Sequence, residues 1–233
     1  MDGNHLSDRL QQLANWVPAG SRVADIGSDH AYLPIYLANQ ERITFAVAGE
    51  VAKGPLAHSQ AAIKAAGWQE KISARFGDGL AVITPEDAID VITIAGMGGQ
   101  LIVDILSQGK QDGKLSNHPA LLLQPNWEAQ RVRQWLNMNG YALIKEGLVE
   151  ENKKRYEMMM AQYAPEQANL TAEEIQFGRF VEQANPIVFQ AMWQHELAKA
   201  QRVLMNLENS TDTQAKEQFT ARVAMIRARL EEK

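Results

Sequence analysis

The chain has 233 residues, of which 45% are hydrophobic and 22% charged, and its formal net charge is −5. This length allows one domain of about 150 residues and an appendage, and the absence of cysteine excludes disulfides, thiolate zinc sites and cysteine nucleophiles. There is no basic excess of the kind that marks many nucleic-acid binders, no apolar run near the roughly 20 residues that span a bilayer, and no signal-peptide pattern, so we expect a cytoplasmic protein without a membrane partner.

The first part of the chain alternates between apolar strands and helical patterns. An amphipathic helix is predicted over residues 6–17, where leucines recur at helical spacing. Five strands follow, predicted at residues 22–26, 43–48, 71–76, 90–95 and 120–124. Helices are predicted between or after them at residues 53–66, 100–106 and 127–138. Such alternation predicts a parallel sheet with helices on both faces, the doubly wound Rossmann-like α/β architecture, with the carboxyl ends of the strands along one edge.

Two further strands are predicted after these, at residues 141–149 and 155–163. The five residues between them are short enough for a closing antiparallel hairpin, which brings the sheet to seven strands. Ala164 and Pro165 then break the pattern. We therefore predict a first domain over residues 1–164.

The remainder of the chain, residues 165–233, has a different character. A capping-box sequence begins at Thr171, and long helical patterns follow at residues 187–208 and 213–232. Residues 209–212 separate them as a turn and a cap, which predicts an antiparallel, coiled-coil-like helical hairpin. With ten acids and eight bases, this second domain is not a basic tail.

Acids and glycines stand at four strand ends that the parallel topology brings to one edge. They are Asp25 and Gly27, Glu50 and Val51, Asp78 and Gly79, and Ala95, Gly96, Met97 and Gly98. The loop after the first strand lacks lysine and contains a second acid, Asp29, so it would repel a pyrophosphate. A cationic ligand with a ribose would be favoured, and S-adenosylmethionine is such a ligand. Glu50 lies 23 residues after Gly27, near the offset of about 20 at which an acid meets ribose hydroxyls.

Each of these signals has a simpler alternative. A single acid at a strand end is often a helix cap or a solvated charge, and Asp29 could cap the next helix, with His30 a surface residue beside it. The glycines at 96–99 half resemble a dinucleotide fingerprint, but Leu101 stands at the sixth position and no acid follows at 116–120, which disfavours NAD. No metal is expected, since no ligand spacing joins the other histidines, His5, His58, His118 and His195.

The fifth strand ends in Gln124-Pro125-Asn126-Trp127. An amide beside an aromatic ring can hold a flat base by hydrogen bonding and stacking, although a strand-to-helix turn with Asn126 as its cap explains the same residues. Basic residues that could meet phosphates, or form an ordinary solvated face, follow at Arg131, Arg133, Lys145, Lys153, Lys154 and Arg155.

Several strings together resemble a known family. They are Leu6-Ser-Asp-Arg-Leu10, Asp25-Ile-Gly-Ser-Asp-His-Ala-Tyr-Leu-Pro34, Gly77-Asp-Gly79, Ile94-Ala-Gly-Met-Gly-Gly99 and Leu123-Gln-Pro-Asn126. The sequence is similar in them to the bacterial TrmK family, class I S-adenosylmethionine-dependent methyltransferases that methylate N1 of adenosine 22 in tRNA. The resemblance covers residues 6 to about 163, whereas the helical hairpin matches only in kind.

The resemblance implies a cytoplasmic tRNA-modifying enzyme that converts S-adenosylmethionine to S-adenosylhomocysteine, without a metal and as a monomer rather than an obligate oligomer. The expected cofactor residues are Asp25, Gly27, Asp29, His30, Glu50, Val51, Asp78, Gly79, Ala95, Gly96, Met97 and Gly98. Catalytic roles are expected for Asp29, His30 and Asn126, with Asp29 the candidate proton acceptor. The expected substrate contacts are Arg9, Tyr32, Pro125, Asn126, Trp127, Arg133, Lys153 and Arg155.

Three alternatives remain open from the residues alone. The same cofactor-binding residues would be found in a methyltransferase that acts on another RNA or in one that acts on a small molecule. The third alternative is a non-catalytic RNA-binding module with the same fold. Adenine N1 lies on the Watson–Crick edge, so methylation there requires an unpaired or flipped base.

Overall fold

A computed structural model describes residues 3–208 and 210–231. The chain forms two compact units, Met1–Val181 and Glu182–Lys233. No helix within the described residues combines the length and apolarity that crossing a bilayer requires.

One mixed sheet organises the first unit, and its seven strands in the described residues follow the order β3-β2-β1-β4-β5-β7-β6. The strands are β1 (Ser21–Ile26), β2 (Ile43–Glu50), β3 (Ile72–Phe76), β4 (Val91–Met97), β5 (Ala120–Pro125), β6 (Tyr141–Glu151) and β7 (Lys154–Tyr163). The first five are parallel, and β7 runs antiparallel to both β5 and β6. The predicted seven-stranded doubly wound sheet is confirmed.

Helices cover both faces of this sheet. They are α1 (Asp8–Trp16), α2 (Tyr32–Asn39), α3 (Lys53–Ala66), α4 (Gly99–Gln111) and α5 (Ala129–Met138). Side chains of α1, α2 and α3 form one buried cluster, and those of α4 and α5 belong to another. Side chains of β5 alternate between the two faces of the sheet. Leu121 and Leu123 pack in the cluster of α4 and α5, and Leu122 packs in the cluster of α1, α2 and α3.

The predicted domain boundary between residues 164 and 165 differs from the division after Val181. The intervening segment, which includes α6 (Ala172–Phe177) and the start of α7 (Val181–Ala184), is tied to the first unit by polar contacts. The Leu170 N–H donates to Asn137 Oδ1 of α5 at 2.8 Å, and the Phe180 N–H donates to Glu146 Oε2 of β6 at 2.8 Å. The change in sequence character precedes the structural division because this segment still covers the sheet domain.

The second unit contains the predicted helical hairpin, formed by α8 (Pro186–Asn206) and α9 (Thr213–Glu231). Arg222 of α9 donates to Glu196 of α8 at 3.1 Å. Asp212 caps α9 by accepting from the Ala215 N–H at 2.9 Å. Two positions of the predicted hairpin, 209 in its turn and 232 at the end of its second predicted helix, lie outside the described residues.

Candidate active site

Asp25 is the penultimate residue of β1 and is 4% exposed. Its two carboxylate oxygens accept hydrogen bonds from Ser28 Oγ at 2.5 Å and from Thr93 Oγ1 at 2.6 Å. Burial raises the pKa of Asp25 to about 6, against the lowering effect of those two hydroxyls, and the charge of Glu50 adds to the rise. An acid in such surroundings is held in one orientation, and a cation bound beside it would favour its ionised form.

The loop after β1 turns through an unusual backbone path. Its φ angles are +68° at Gly27, +42° at Asp29, +70° at His30 and +56° at Ala31. A side chain at Gly27 would meet only the terminal methyl group of the flexible Met97 side chain, so glycine is required there for its backbone conformation. Consecutive non-glycine residues in the left-handed region are costly, and such strain concentrates at binding and catalytic sites.

Glu50 ends β2 beside this loop and is 5% exposed. Its Oε1 has no hydrogen-bond partner among the described residues, while the Asp29 backbone and the nearby Ser59 hydroxyl of α3 act on the carboxylate to lower its pKa. Burial raises the pKa of Glu50, with a further contribution from the charge of Asp29. A buried carboxylate oxygen without a donor is costly, and the ribose hydroxyls of S-adenosylmethionine would supply donors. The residues present therefore fit that ligand.

The His30 ring is stacked with two other rings. Its ring centroid lies 5.2 Å from that of Tyr32 and 5.0 Å from that of His58 on α3. The Asp29 carboxylate lies 3.5 Å from His30 Nε2 and its side chain is 78% exposed. The sequence offered no signal for His58, because the contact joins a loop to a helix 28 residues later.

The remaining predicted cofactor residues on this side border the same edge. Val51 follows Glu50 and is 64% exposed. Asp78 is exposed after β3, and Gly79 begins a short 3-10 turn with φ +50°. Because β1, β2 and β3 are parallel neighbours, their ends form one continuous rim.

A second polar group lies at the ends of β4 and β5 and is organised by Gln124. This buried side chain accepts from an Arg9 guanidinium nitrogen at 2.6 Å and from the Gly96 N–H at 3.1 Å. Its amide nitrogen donates to Asn126 Oδ1 at 3.1 Å, and Asn126 Nδ2 donates to the Gly96 carbonyl at 2.7 Å. The amide of Asn126 is thus fixed in orientation. Ala95 lies opposite Gln124 in the β4–β5 register.

Trp127 presents an exposed ring beside this group. It is 62% exposed, and a Cβ at Gly98 would come within 2.8 Å of its indole. The bare backbone of Gly98 therefore seats one part of the indole while the rest stays open to solvent. Pro125 precedes it and pairs with Met97 across the β4–β5 register.

The predicted cofactor and catalytic residues thus form two groups along one edge. Asp29 and His30 lie with Glu50 on the β2 side, whereas Asn126 lies with Gly96 on the β4–β5 side. Met97 comes between them, because it reaches the bare backbone of Gly27 from the end of β4. Gln124 is the residue that the predicted site omitted, and its position within the Gln-Pro-Asn-Trp string was the available signal.

The basic residues separate into two kinds. Lys153 is exposed at the tip of the β6–β7 hairpin, and Arg155 is partly buried and paired with Glu150 at 2.9 Å. The prediction that Arg133 contacts substrate is wrong. Its side chain is fully buried, where it pairs with Glu146 at 2.6 Å and with Glu157, so it neutralises carboxylates inside the domain.

Comparison with known proteins identifies the family to which this chain belongs. The family model described as TrmK, tRNA (adenine(22)-N(1))-methyltransferase, matches residues 23–228. The tRNA (adenine(22)-N(1))-methyltransferase of Bacillus subtilis is 40% identical over 218 residues, covering 91% of this chain and 90% of that protein.

Solved structures agree with this assignment. The crystal structure of Bacillus subtilis TrmK has a TM-score of 0.90 and 36% identity, covering 98% of this chain and 100% of that one. Streptococcus pneumoniae Sp1610 in complex with S-adenosyl-L-methionine has a TM-score of 0.88 and 36% identity, covering 97% and 100%. The chain belongs to the TrmK family of tRNA (adenine(22)-N(1))-methyltransferases.

Proposed function

We propose that this chain methylates N1 of adenine 22 in tRNA by holding S-adenosylmethionine along the β1–β2–β3 rim and the target base at the ends of β4 and β5. The unpartnered, buried Oε1 of Glu50 is the observation that carries the donor half. The fixed amide of Asn126 carries the substrate half. Met97 and Gly27 are where the two halves adjoin.

The donor is held by complementary groups. Glu50 accepts from its ribose hydroxyls, Asp78 accepts from its adenine amino group, and the Asp25 loop surrounds its cationic amino-acid end. Asp25 contributes its negative charge, and it also holds the loop in place by accepting the hydrogen bond from the Ser28 hydroxyl. Gly27, Gly79 and Gly96 allow the ligand to approach the backbone closely.

When bound, S-adenosylmethionine supplies a sulfonium methyl group whose transfer to the in-plane lone pair of adenine N1 leaves the base with a positive charge. Asn126 meets the Watson–Crick edge of the adenine, and Trp127 offers an exposed face on which it stacks. The exposed Asp29 carboxylate stabilises the charge on the base or accepts its amino proton, with His30 beside it. Positioning and electrostatics supply the rate enhancement.

The tRNA body is held outside this centre. Lys153 and Arg155 at the hairpin tip, with Arg9 and Tyr32 at the rim, are the proposed contacts of the sheet domain. The helical hairpin binds the tRNA by shape and phosphates, although its charge is balanced. We expect a monomer that works in the cytoplasm, where its tRNA substrate is made.

Incubation with labelled S-adenosylmethionine and two tRNA transcripts tests the function. One transcript carries adenine at position 22 and the other guanine there, and nucleoside mass spectrometry with position mapping follows. We expect 1-methyladenosine only in the first transcript, and methylation of the second at the same rate would refute the assignment.

A variant pair tests the site. Asn126→Ala is expected to lose most methylation but to keep donor binding by calorimetry. Asn117→Ala is the matched control, because Asn117 donates to the Ile89 carbonyl before β4 at the opposite edge of the sheet. Equal methylation by both variants would contradict the role of Asn126.

A further inference from the structure

A cavity outside the proposed donor and adenine sites opens between the start of α1 and the tip of the β6–β7 hairpin. Its volume is about 580 Å³, and its walls include Ser7, Arg9, Glu151, Asn152 and Tyr156. Both walls belong to the sheet domain. The proposed reaction uses only Arg9 among these residues, so the cavity requires its own explanation.

Arg9 and Glu151 carry opposite charges in the cavity, which His5 also lines. The Arg9 guanidinium lies 5.4 Å from the centroid of the Tyr156 ring, and its Nε lies 3.8 Å from Glu151 Oε2. The other oxygen of Glu151 accepts from the Asp8 N–H at 2.9 Å. A phosphate would meet this carboxylate as well as the arginine, so the cavity disfavours a bare anion.

The cavity walls instead suit a neutral, flat and polar group. Tyr156 supplies an aromatic ring with the Arg9 guanidinium over one face, and a base can stack on the ring or on the guanidinium. Glu151 supplies an acceptor, and Asn152 in the exposed turn an amide that both donates and accepts. The Ser7 hydroxyl has no hydrogen-bond partner in the described part of the chain. A nucleobase matches this set, because proteins read single-stranded bases by stacking and by hydrogen bonds to their edges.

The cavity is also adjacent to the proposed adenine site. Arg9 donates to Gln124, and Gln124 donates to Asn126. Two hydrogen bonds therefore separate the cavity from the amide that faces the target base. When the target adenine is splayed out of its base stack, it and the neighbouring nucleotide of the same strand could bind in the adenine site and in the cavity.

We propose that this cavity is a subsite for the base of a nucleotide directly next to the methylated adenine, with Tyr156 as its stacking surface. The proposal rests on the proposed function, since it takes the adenine at Asn126 as the reference point. It makes Arg9 the connection between the two bases. The subsite would help recognition to depend on the sequence around adenine 22 as well as on the shape of the tRNA.

Binding of synthetic tRNAs that lack single bases tests the subsite. One tRNA is intact and two others lack the base on either side of adenine 22, and affinity is measured by fluorescence anisotropy without methyl donor. Removal of one of the two bases should weaken binding to the natural protein about tenfold, within the range for loss of one stacked base.

Variants of Tyr156 connect that loss to the cavity. Tyr156→Leu should bind intact tRNA about tenfold more weakly and should no longer distinguish it from the sensitive base-deleted tRNA. Tyr156→Phe should recover the distinction, because the ring remains. Tyr163→Leu is the matched control, since Tyr163 lies at the other end of β7 against His118, and it should distinguish the tRNAs as the natural protein does.

Several results would overturn the subsite. Equal affinity of the natural protein for all three tRNAs would do so, and so would independent, additive losses from Tyr156→Leu and base removal. A loss that follows neutralisation of the adjoining phosphate instead of base removal would identify a phosphate site. If Tyr156→Leu does not fold, Asn152→Gly replaces it, because Asn152 has φ +51° and glycine keeps that turn.

Failure of the proposed function is distinguishable from failure of the subsite. The natural protein would then produce no 1-methyladenosine at position 22 of intact tRNA. If the natural protein does methylate that position but binds all three tRNAs with equal affinity, only the subsite is refuted.

Discussion

Replacing Asp25 by asparagine should make the protein more stable at neutral pH while weakening its binding of the methyl donor. Burial raises the pKa of this carboxyl from its ordinary 3.8 to about 6, so the folded state binds its proton more tightly than the unfolded state does. Between these two values unfolding releases a proton, and stability therefore falls as pH rises through that window and is constant above it. At about 1.4 kcal/mol per pKa unit, ionised Asp25 costs about 3 kcal/mol at pH 7.

The asparagine variant removes this cost but weakens two hydrogen bonds. Ser28 and Thr93 both donate to the carboxylate, and one hydroxyl must reverse its role towards an amide nitrogen, at about 1 kcal/mol. The expected net gain is about 2 kcal/mol at pH 7. At pH 4.5 the charge term falls to about 1 kcal/mol, so the two proteins should be about equally stable.

Urea unfolding of both proteins at pH 7 and pH 4.5, without methyl donor, measures these differences. A variant that is destabilised equally at both pH values would refute the reasoning, because packing and hydrogen bonding would then outweigh the buried charge. Calorimetry with S-adenosylmethionine should show weaker binding by the variant. That outcome would be a case of stability traded against function.

Three further substitutions have defined outcomes. Glu50→Gln should weaken donor binding by about ten- to a hundredfold, as expected for the loss of hydrogen bonds to a charged group, measured by calorimetry on a protein whose melting temperature is retained. Arg133→Met should cost about 3–5 kcal/mol in urea unfolding by leaving its two carboxylate partners buried without a cation; a loss under 1 kcal/mol would contradict this. His58→Ala should raise the KM for the methyl donor about two- to tenfold, because it removes one of the rings stacked with His30. His58→Phe should restore the KM. An unchanged KM in His58→Ala would show that the stacked rings do not position the loop.

The sheet was predictable because its evidence is local. Each parallel strand is a short apolar run, and strand ends share an edge by topology. The sequence alone therefore allowed three acids to be assigned to the carboxyl edge of the sheet, namely Asp25, Glu50 and Asp78. The capping box at Thr171 is equally local, and both of its hydrogen bonds form, at 2.9 and 3.1 Å.

Contacts between distant residues could not be predicted in this way. Arg133 follows the Gln-Pro-Asn-Trp string closely in sequence, but helix α5 turns it inward to meet carboxylates of β6 and β7. A charged residue in an amphipathic helix has the same sequence signal whether it faces solvent or a buried partner. The direction of the Arg133 side chain depends on its partners in the facing strands, and these partners come 13 and 24 residues later in the sequence.

The role of α1 shows how much of the site depends on such long-range contacts. Its leucine spacing predicted a helix that covers the sheet, and Leu13 does enter the core. The same helix also carries Arg9 to Gln124, which is 115 residues away in sequence. Because Gln124 in turn orients Asn126, the helix supports the residues proposed to bind the substrate. Removing Arg9 should therefore disturb the adenine position and the adjoining cavity together, whereas Tyr156 variants should disturb the cavity alone.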